Sequence, residues 1–354
     1  MKRTRKRPHD FASPSVDLLA LAEYVERFSS KTIVLLGDFV ADEFQFGDIS
    51  RVSREAPVLI LRHRETQLVP GGGANAANNF ASLGARVRSV TAVGNDAAGE
   101  GLIEYFRSRG VDVSGIVRVK NWTTPTKSRF VAGWPHTVGQ QVLRVDREPQ
   151  GHLPPEARDK LHRSLMAKLP SAHGLAVSDY GFGVATPDLV RQARVKAKSG
   201  LPVTVDARYQ LLAYARAGIT SATPNEAELE ALHHTTIGQK LDELARCGRA
   251  TLSSMKMRAL LVTRGRDGMA LFEPRDRCAH IPIHGSNQAV DVTGAGDTVL
   301  AAYTLALASG ASPLEAAHIA NIAGGLVVMK RGTATISRDE LLRTIRGEAS
   351  GATA

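Results

Sequence analysis

The sequence contains little that would suit a secreted, membrane-spanning or metal-cluster protein. Only two of its 354 residues are cysteine, Cys247 and Cys278, and they form no C-x-x-C or other metal-binding pattern. So few cysteines indicate a reduced cytosolic protein. No apolar run approaches the roughly 18–20 residues that a membrane helix needs, and no apolar stretch follows the basic start as it would in a secretory signal. The sequence therefore predicts a cytoplasmic protein.

The positive charge is unevenly distributed. The formal net charge is +10, and five positive residues lie within the first seven positions: Lys2, Arg3, Arg5, Lys6 and Arg7. Runs of this kind are usually solvated tails, which we favour here over a nucleic-acid-binding arm. We therefore predict a disordered basic arm over residues 1–14. The remaining positive charge would suit a small anionic substrate, such as a nucleotide or a sugar phosphate.

Short apolar runs alternate with amphipathic segments through most of the chain. The segments with strand character are 32–36, 87–93, 175–178, 201–205 and 260–263. The segments with helical character include 15–28, a stretch ending at Leu83, and about 98–109, 295–308 and 313–330. This alternation predicts an α/β fold with a doubly wound, mostly parallel sheet flanked by helices. We assign the domain to residues 15–345 and expect 346–354 to be a flexible tail.

Two segments depart from the alternation. Residues 39–65 and 119–146 are rich in Phe, Val, Thr and Arg and lack a helical period. We predict that they form extended strands outside the main sheet, as a small β-strand lid. No internal repeat or low-complexity linker is present, so the sequence indicates one main domain with an inserted lid.

The segment Asp291–Thr298, Asp-Val-Thr-Gly-Ala-Gly-Asp-Thr, carries the strongest chemical signal and runs directly into a predicted helix. Gly294, Ala295 and Gly296 have little side chain, so their backbone N–H groups can approach a charged oxygen closely. At a helix N-terminus such groups are unpaired and favour anions, including a phosphoryl group in transfer. Asp297 beside them can accept the proton of an attacking hydroxyl. The structural alternative is an ordinary glycine-rich turn with Asp297 as a helix-start carboxylate.

A second glycine cluster, Pro-Gly-Gly-Gly-Ala-Asn-Ala-Ala-Asn, lies at residues 70–78 and opens another predicted helix. Its glycines allow close approach of the backbone to a ligand, and the Asn75 amide offers both a donor and an acceptor to a polyol. The spacing is not the G-x-G-x-x-G of a dinucleotide site. Taken alone, the cluster also fits a flexible turn followed by a capping asparagine.

Together the two clusters resemble the ribokinase-like (phosphofructokinase-B, PfkB) family of carbohydrate kinases. The N-terminal signature of that family is matched by Gly71, Gly72, Gly73, Asn75, Ala77, Gly84 and Gly94, and its C-terminal signature by Asp291–Tyr303. Between them, Thr223–Glu228 resembles the N-x-x-E element, and Thr263–Gly268 resembles the nucleotide-side strand and turn. The resemblance covers roughly residues 31–345. It implies a ribokinase-like fold and a phosphotransferase that uses ATP and Mg²⁺ and takes an alcohol group as acceptor.

The resemblance also implies a role for each matching position. Asp297 would be the catalytic base, with the N–H groups of Gly294, Ala295 and Gly296 as the anion hole. The residues implied to hold the sugar are Asp38, Gly72, Gly73 and Asn75. The residues implied to border the nucleotide are Asn225, Glu228, Thr263, Gly265 and Asn321, with Glu228 ordering Mg²⁺ through water and Asn321 equally suited to a capping role. Asp291 resembles an element of the potassium site of some members.

The order of the elements supports part of this assignment. Asp38, Asp179, Asp206 and Asn225 each follow a predicted strand, at the carboxyl edge where open α/β sheets bind ligands. Turn or cap chemistry is the alternative for each of them.

Within the family, the chain is most similar to the kinases that phosphorylate heptose 7-phosphate on the route to ADP-heptose. The matching segments are Gly37–Asp38, Ser50–Val58, Thr126–Arg129, Leu143–Asp146 and Ser178–Tyr180. The resemblance places Asp179 near the sugar, and cations such as Lys127 and Arg129 would suit its phosphate, although lid strands also carry solvated cations. The chain departs from the subfamily at Glu43–Phe44, at Arg54 and at Gly181–Gly183, where Arg-Tyr, Pro and a Lys are usual.

We expect the chain to phosphorylate the anomeric hydroxyl of D-glycero-D-manno-heptose 7-phosphate, giving the 1,7-bisphosphate. The alternatives are a kinase for another sugar, sugar phosphate or nucleoside and, from another class, a non-catalytic sugar sensor or DNA-associated regulator. No H-x-G-H-type element follows residue 345, so the nucleotidyltransferase half of many relatives is expected as a separate partner. The resemblance also suggests a homodimer formed through the lid strands.

Overall fold

The computed structural model describes residues 11–12, 14–133, 139–286 and 288–351. The strands in these ranges are β1 (Thr32–Gly37), β2 (Phe39–Val52), β3 (Leu59–Gly72), β4 (Arg86–Gly94), β5 (Asp112–Val119), β6 (Thr126–Gly133), β7 (Gln140–Arg147), β8 (Gly174–Asp179), β9 (Val203–Ala207), β10 (Ser221–Ala222), β11 (Ala259–Thr263), β12 (Met269–Glu273) and β13 (Arg277–Ile281). The helices are α1 (Leu18–Glu26), α2 (Gly73–Ser82), α3 (Ala97–Ser108), α4 (Pro155–Lys168), α5 (Pro187–Lys196), α6 (Glu226–His233), α7 (Leu241–Met255), α8 (Ala295–Ala308), α9 (Pro313–Val327) and α10 (Arg338–Ala349). Within these ranges, every helix is too short or too polar to cross a lipid bilayer.

The main sheet has the strand order β13-β12-β11-β10-β9-β8-β1-β4-β5 over the described residues. Neighbouring strands from β11 to β5 are parallel, and β12 and β13 are antiparallel at one edge. The predicted doubly wound, mostly parallel sheet is confirmed. The chain order changes direction between β1 and β8, so the carboxyl ends of these two strands border the crevice in which open α/β sheets bind ligands.

Strand β1 is buried along its whole length because helices cover both faces of the sheet. Ile33 and Leu35 belong to one hydrophobic core, which includes residues of α1–α3 and α8–α10. Val34 and Leu36 belong to the other core, which includes residues of α4–α7. Successive side chains of a strand point to opposite faces, so the continuous apolar run supplies both cores, and burial of each such side chain contributes about 1.5–3 kcal/mol.

Helix starts agree with local capping chemistry. Helix α9 begins at Pro313, as predicted, after the cap Ser312, whose side chain and that of Glu315 form a reciprocal capping box. Helix α8 begins at Ala295, also as predicted, but its cap is Gly294 in the left-handed region, with φ of 77°. Among the described residues no side chain caps α8, and the amide of Gly296 in its first turn has no backbone partner there.

The predicted lid is a separate sheet with the order β3-β2-β6-β7 over the described residues. Strand β2 begins directly after Asp38, and β3 returns to α2 at Gly72, so the lid is attached at the carboxyl end of β1. Strand β3 extends seven residues beyond the predicted limit of 65, and the start of the second predicted segment, Val119, belongs to β5 of the main sheet. Residues 134–138 of that segment lie outside the described residues.

Both ends of the domain differ from the predicted limits. Ala12, assigned to the basic arm, pairs with Ala279 of β13, and the ring of Phe11 contacts that of Phe272 edge to face, at 5.8 Å between centroids. Residues 1–10, which carry the basic run, lie outside the described residues. At the other end, α10 continues to Ala349, four residues into the predicted tail, because the buried side chains of Leu341 and Ile345 anchor it to the core.

Candidate active site

Asp297 lies in the first turn of α8 and is 4% exposed. Its Oδ2 accepts a hydrogen bond of 2.8 Å from Nδ2 of Asn75, which lies in the first turn of α2. Its Oδ1 is buried and has no hydrogen-bond partner among the described residues. A buried carboxylate oxygen without a partner is costly in a folded protein. It is therefore placed to accept a hydrogen bond from a bound molecule.

The turn before Asp297 combines close packing with open space. A Cβ atom on Gly294 would lie 2.5 Å from Nδ2 of Asn75, so this position requires glycine both for its positive φ and for the contact. A Cβ atom on Gly296 would meet nothing within 4 Å. The amide of Ala295 donates to the carbonyl oxygen of Val292 at 3.2 Å, which removes it from the predicted anion hole. The amides of Gly294 and Gly296 have no partner among the described residues and can bind an anion.

The surroundings of Asp297 suit a group that exchanges protons near neutral pH. Burial raises the pKa of Asp297 to about 7, while the Asn75 hydrogen bond opposes the shift. Asp42 of the lid raises the pKa further and Lys127 lowers it. A general base works best when its pKa is near the operating pH. The geometry and charge of this carboxyl therefore fit the chemistry that the sequence predicts.

The lid contributes one closed ion pair to this region. Nη1 of Arg129 lies 2.7 Å from Oδ1 of Asp42, and both side chains are largely buried. The guanidinium of Arg129 also lies 5.3 Å from the centre of the Phe44 ring. Gly71 is packed so closely that a Cβ atom there would lie 2.6 Å from Oδ2 of Asp42. Arg129 therefore has a carboxylate partner in place of the predicted substrate phosphate.

Lys127, on lid strand β6, is a cation that is open to a ligand. The part of the chain that the structure describes places no carboxylate within 4.0 Å of its Nζ, which lies 5.9 Å from the centre of the Tyr180 ring. Arg208 lies 5.8 Å from the same ring, and it also has no ion-pair partner among the described residues. Partial burial lowers the pKa of Lys127, the negative charge of Asp42 opposes this shift, and the positive charge of Arg208 adds to it. Two cations beside one ring, neither of them in an ion pair with the described residues, form a site for an anion.

Both carboxylate oxygens of Asp38 accept hydrogen bonds from the loop that follows β8, and its predicted contact with sugar stays a prediction. Its Oδ2 accepts from the amides of Tyr180 and Phe182, at 2.9 and 3.0 Å, and its Oδ1 accepts from the amide of Val184 at 3.0 Å. Burial raises its pKa to about 6 although these bonds oppose the shift. Both carboxylate oxygens are therefore used to hold the loop 180–184 against the end of β1.

Gly72 and Gly73 pack on the backbone of Asp38. The amide of Gly73 donates to its carbonyl oxygen at 2.9 Å, and a Cβ atom on Gly73 would lie 2.9 Å from that oxygen. Gly72 has a φ of 52°, and a Cβ atom there would lie 2.8 Å from the side chain of Val40. These glycines join the lid to α2 and explain the glycine run without a ligand.

Asp179 also has protein partners for both oxygens. The hydroxyl of Tyr214 donates to its Oδ2 at 2.7 Å, and the amide of Gly181 donates to its Oδ1 at 2.9 Å. Asp179 therefore fixes the start of the loop 180–184, where sequence analysis expected a sugar contact.

The predicted nucleotide elements lie on adjacent strands and helices. Asn225 and Glu228 form a reciprocal capping box at the start of α6, with bonds of 2.8 and 2.9 Å. Asn225 also pairs with Thr263 at the end of β11. Gly265, with a φ of 52°, has open space around its Cα. The structure thus brings these four residues together.

Asn321 and Asp291 are engaged with the protein backbone. Nδ2 of Asn321 donates to the carbonyl oxygen of Pro282 at 2.7 Å, which supports the capping alternative. Asp291 accepts from the amides of Thr293 and Gly332, both at 2.9 Å. It joins the segment before α8 to the one after α9.

Sequence analysis did not assign three residues that the structure brings to the site: Asp42, Tyr180 and Arg208. It placed Asp206 at the sheet edge without a role, and burial raises the pKa of Asp206 well above its usual value, with Glu228 and Asp297 adding to the shift. The carboxylate of Asp297 is also the main cause of the raised pKa of Tyr180. Tyr180 and Arg208 lie two and three residues after predicted strands, at the edge where ligands bind, whereas Asp42 lies within the predicted lid segment 39–65.

Comparison with known proteins agrees with this geometry. The sequence profile described as pfkB family carbohydrate kinase matches residues 39–340 of the chain. The chain belongs to this family. It is therefore a sugar kinase, a phosphotransferase with an alcohol group as acceptor.

Several curated relatives of this pfkB-family kinase are described as "Bifunctional protein HldE". The protein from Mesorhizobium japonicum is 38% identical over 320 residues, which cover 90% of this chain and 62% of the relative. The protein from Caulobacter sp. is 39% identical over 339 residues, which cover 93% of this chain and 65% of the relative. The chain thus spans less than two thirds of the length of these relatives.

The fold of this pfkB-family kinase is similar to solved structures of sugar kinases. Ribokinase from Arabidopsis thaliana, solved with ribose and ATP, superposes with a TM-score of 0.69 at 22% identity, covering 89% of this chain and 99% of that one. Phosphofructokinase-2 from Escherichia coli, solved with potassium, superposes with a TM-score of 0.71 at 21% identity, covering 90% and 99%. At these identities the likeness concerns the fold.

Proposed function

We propose that the chain transfers the γ-phosphoryl group of ATP to the anomeric hydroxyl of D-glycero-D-manno-heptose 7-phosphate. The observation that carries this proposal is the hydrogen bonding of the two carboxylate oxygens of Asp297. One of its carboxylate oxygens is held by Asn75, and the other is buried without a partner. The open space at Gly296 adjoins it. This arrangement matches what transfer to an alcohol needs: a base beside an anion-binding turn.

In the proposed reaction, Oδ1 of Asp297 accepts the proton of the sugar hydroxyl. The hydroxyl oxygen forms a bond to the γ-phosphorus as the bond from that phosphorus to the leaving oxygen of ADP breaks. The amides of Gly294 and Gly296 stabilise the phosphoryl oxygens, which is the role of preorganised donors at developing charge. Asn75 keeps the carboxylate oriented throughout.

The carboxyl groups of Asp206 and Glu228 fit a magnesium ion bound together with nucleotide phosphates. Burial raises the pKa of both groups, so their negative charges are poorly compensated by the protein, and a divalent cation would relieve this. Among the described residues, no group of three or more His, Cys, Asp or Glu side chains could hold a metal by itself. Water and phosphate oxygens would complete the shell, as Mg²⁺ prefers. The bound ion supplies neutralisation of phosphate charge during transfer.

We also propose a potassium ion near Asp291, which is supported by the position of this residue and by one fold relative. Asp291 ties two backbone segments together directly before the Gly294 turn, so an ion bound to the neighbouring carbonyl groups would act on the anion hole. The fold relative from Escherichia coli was solved in complex with potassium. Turnover compared at equal ionic strength in KCl and NaCl tests it, and equal rates would remove potassium from the proposal.

A phosphate on the acceptor sugar is supported by Lys127 and Arg208. Both cations lie beside the Tyr180 ring, one on the lid and one at the end of β9, and neither has an ion-pair partner among the described residues. Arg144, a further cation of the lid, is paired with Asp146 at 2.9 Å. A phosphate on the sugar would pair with both cations, whereas an uncharged sugar would offer them no anionic partner.

The choice of heptose rests on similarity. The subfamily segments around Asp38 and Asp179 and the identity to proteins described as "Bifunctional protein HldE" both support it. A kinase for another sugar phosphate is the alternative, and it is favoured by Phe182 in the loop where a Lys is usual. A coupled assay with purified protein, Mg·ATP and a panel of sugars and sugar phosphates decides between them. Turnover of another sugar without turnover of heptose 7-phosphate would reject the heptose proposal.

Two partners follow from the proposal. A heptose 1,7-bisphosphate product would require further enzymes, and a nucleotidyltransferase is the partner activity that the resemblance to kinases of the ADP-heptose route implies. A second copy of the chain is the other partner, since β7 is exposed on both faces and includes Val142, Leu143 and Val145. Light scattering of the wild type and of Leu143→Glu tests this proposal. We expect the wild type to be a dimer and the substitution to weaken it.

A further inference from the structure

Four buried polar side chains form a continuous hydrogen-bonded chain between α2 and α8. The hydroxyl of Thr298 donates to Oδ1 of Asn79 at 2.7 Å. Nδ2 of Asn79 donates to the backbone oxygen of Asn75 at 2.9 Å and to its Oδ1 at 3.3 Å. Nδ2 of Asn75 then donates to Oδ2 of Asp297 at 2.8 Å. All four residues are at most 4% exposed, so water does not compete for these bonds.

The direction of each bond determines the direction of the next. The backbone carbonyl of Asn75 can only accept, so the NH₂ group of Asn79 faces Asn75, and the oxygen of Asn79 faces the hydroxyl of Thr298, which donates to it. That NH₂ group donates to the side-chain oxygen of Asn75. The oxygen of Asn75 therefore faces Asn79, and its NH₂ group faces Asp297. The reversed Asn75 amide would place its oxygen against Oδ2 of Asp297 and its NH₂ group against the NH₂ group of Asn79. The chain therefore allows one orientation of the Asn75 amide.

We propose that Asn79 and Thr298 are positioning residues that present the Asn75 amide to Asp297 with its NH₂ group forward. Neither residue touches the reacting atoms, and both act through Asn75. The inference rests on the proposed function in one respect, that Asp297 is the base. It adds a device that holds the base in one orientation and favours its charged form.

Other charged groups also face Asp297 and must be kept constant in any test. Asp42 on β2 and Lys127 on β6 approach it from the lid. Tyr180, after β8, and Asp206, at the end of β9, approach it from the main sheet. None of these four takes part in the Asn75–Asn79–Thr298 hydrogen bonds, so substitutions at Asn79 and Thr298 leave them in place.

The isosteric variant Asn79→Asp tests the proposal. A carboxylate at position 79 still accepts from Thr298, but it repels the oxygen of Asn75 and reverses that amide. The reversed amide then faces Asp297 with an oxygen. We expect the acidic limb of the pH profile of kcat/KM to move to higher pH by about one unit, which is a tenfold loss of rate below the limb. Thr298→Val removes the hydroxyl donor and should give a smaller shift in the same direction.

Two matched variants control for general effects on the helices. Asn78→Asp makes the same change on the neighbouring residue of α2, whose side chain contacts Tyr105. Thr304→Val makes the same change on α8, at a buried hydroxyl bonded to Thr204 and to the carbonyl of Leu300. Both should keep the wild-type pH profile.

A second readout does not depend on turnover. The titration of the Asp297 carboxyl carbon is followed by ¹³C NMR in the ligand-free protein, with the resonance assigned by its absence in Asp297→Asn. The pKa should rise in Asn79→Asp, and an unchanged titration and pH profile would overturn the proposal. If Asn79→Asp does not fold, Thr298→Val decides by the same two measurements. If the wild type phosphorylates no sugar, the proposed function is wrong. The titration of Asp297 in the variants would still test whether Asn79 and Thr298 position the Asn75 amide.

Discussion

The side chains of Asn75 and Asp297 meet at 2.8 Å although 222 positions separate them in the chain. Each lies in the first turn of a helix that opens with a glycine turn, and the contact joins the two family signatures into one site. Gly294 makes this approach possible, because any side chain there would collide with the Asn75 amide. The predictions below test what this contact and its surroundings do.

Replacing Asp297 by Asn should remove the proton acceptor and leave the shape of the site unchanged. We expect kcat to fall by about 10²–10⁴-fold, the usual contribution of a positioned base. ATP affinity should change little, because the anion-hole amides are retained. Steady-state kinetics with a calorimetric measurement of ATP binding checks both. A variant that keeps more than a tenth of the wild-type kcat would contradict the assignment of the base.

Stability should depend on pH through the same carboxyl group. Its pKa is raised by burial from 3.8 to about 7, so the folded protein binds this proton more tightly than the unfolded chain does. This contribution is fully present below about pH 4 and is lost as the pH rises through 7. Asp297→Asn should therefore be more stable than the wild type at pH 8, by up to about 4 kcal/mol. Denaturant unfolding at pH 5 and pH 8 measures the difference, and a gap that does not widen with pH would argue against the raised pKa.

Activity should respond to pH in the opposite sense. The base acts in its deprotonated form, so kcat/KM should rise with pH and level off above about 7. A profile that is flat from pH 5 to 8 would be inconsistent with Asp297 as the base of the free enzyme.

Alanine at Gly294 and at Gly296 should have separable effects. Gly294→Ala places a Cβ atom at a positive φ and against Asn75, so we expect a loss of stability of about 1 kcal/mol or more together with a loss of turnover. Gly296→Ala meets nothing within 4 Å in the ligand-free protein and should fold with wild-type stability. Its methyl group would intrude where the phosphoryl group binds, so turnover should still fall. Thermal unfolding and kinetics separate the two, and full activity of Gly296→Ala would place the phosphate elsewhere.

Removing either open cation should weaken recognition of a phosphorylated sugar. For Lys127→Ala and Arg208→Ala, we expect KM for heptose 7-phosphate to rise roughly 10–100-fold, the effect of losing a charged hydrogen bond of about 1.5–3 kcal/mol. KM for ATP should be nearly unchanged in Lys127→Ala. The control is Arg118→Ala, which removes a cation paired with Glu100 at the exposed surface. An unchanged KM in both test variants would assign the sugar phosphate to other residues.

Replacing Asp38 should reduce the stability of the fold more than it affects binding of the sugar. Asp38→Asn turns an NH₂ group toward at least one of the three amides that its carboxylate now accepts. We expect a loss of about 2–4 kcal/mol in the free energy of unfolding. The loop 180–184, and with it Tyr180, should become more susceptible to proteolysis. Wild-type stability with a raised KM for sugar would instead support direct contact with the substrate.

Much of the fold could be read from local patterns. The apolar run 32–36 becomes β1, the helix starting at residue 295 begins where the glycine turn ends, and the segments without helical period form the separate lid sheet. These features depend on periodicity and capping, which act over a few neighbouring residues. The chain ends were harder to predict, since Phe11 and Ala12 are held by contacts with strands more than 250 positions away.

The sequence by itself determined which residues are candidates for the chemistry: the two glycine turns, Asn75 and Asp297. Only the tertiary structure decided which of the candidate carboxylates have an oxygen that is open to a ligand. Asp38, Asp179 and Asp291 have backbone or side-chain donors on both oxygens, whereas one oxygen of Asp297 has none among the described residues. The physical reason is that the local sequence around a carboxylate does not show whether its hydrogen-bond donors come from the protein or from a substrate. That difference depends on donors brought together from distant parts of the chain.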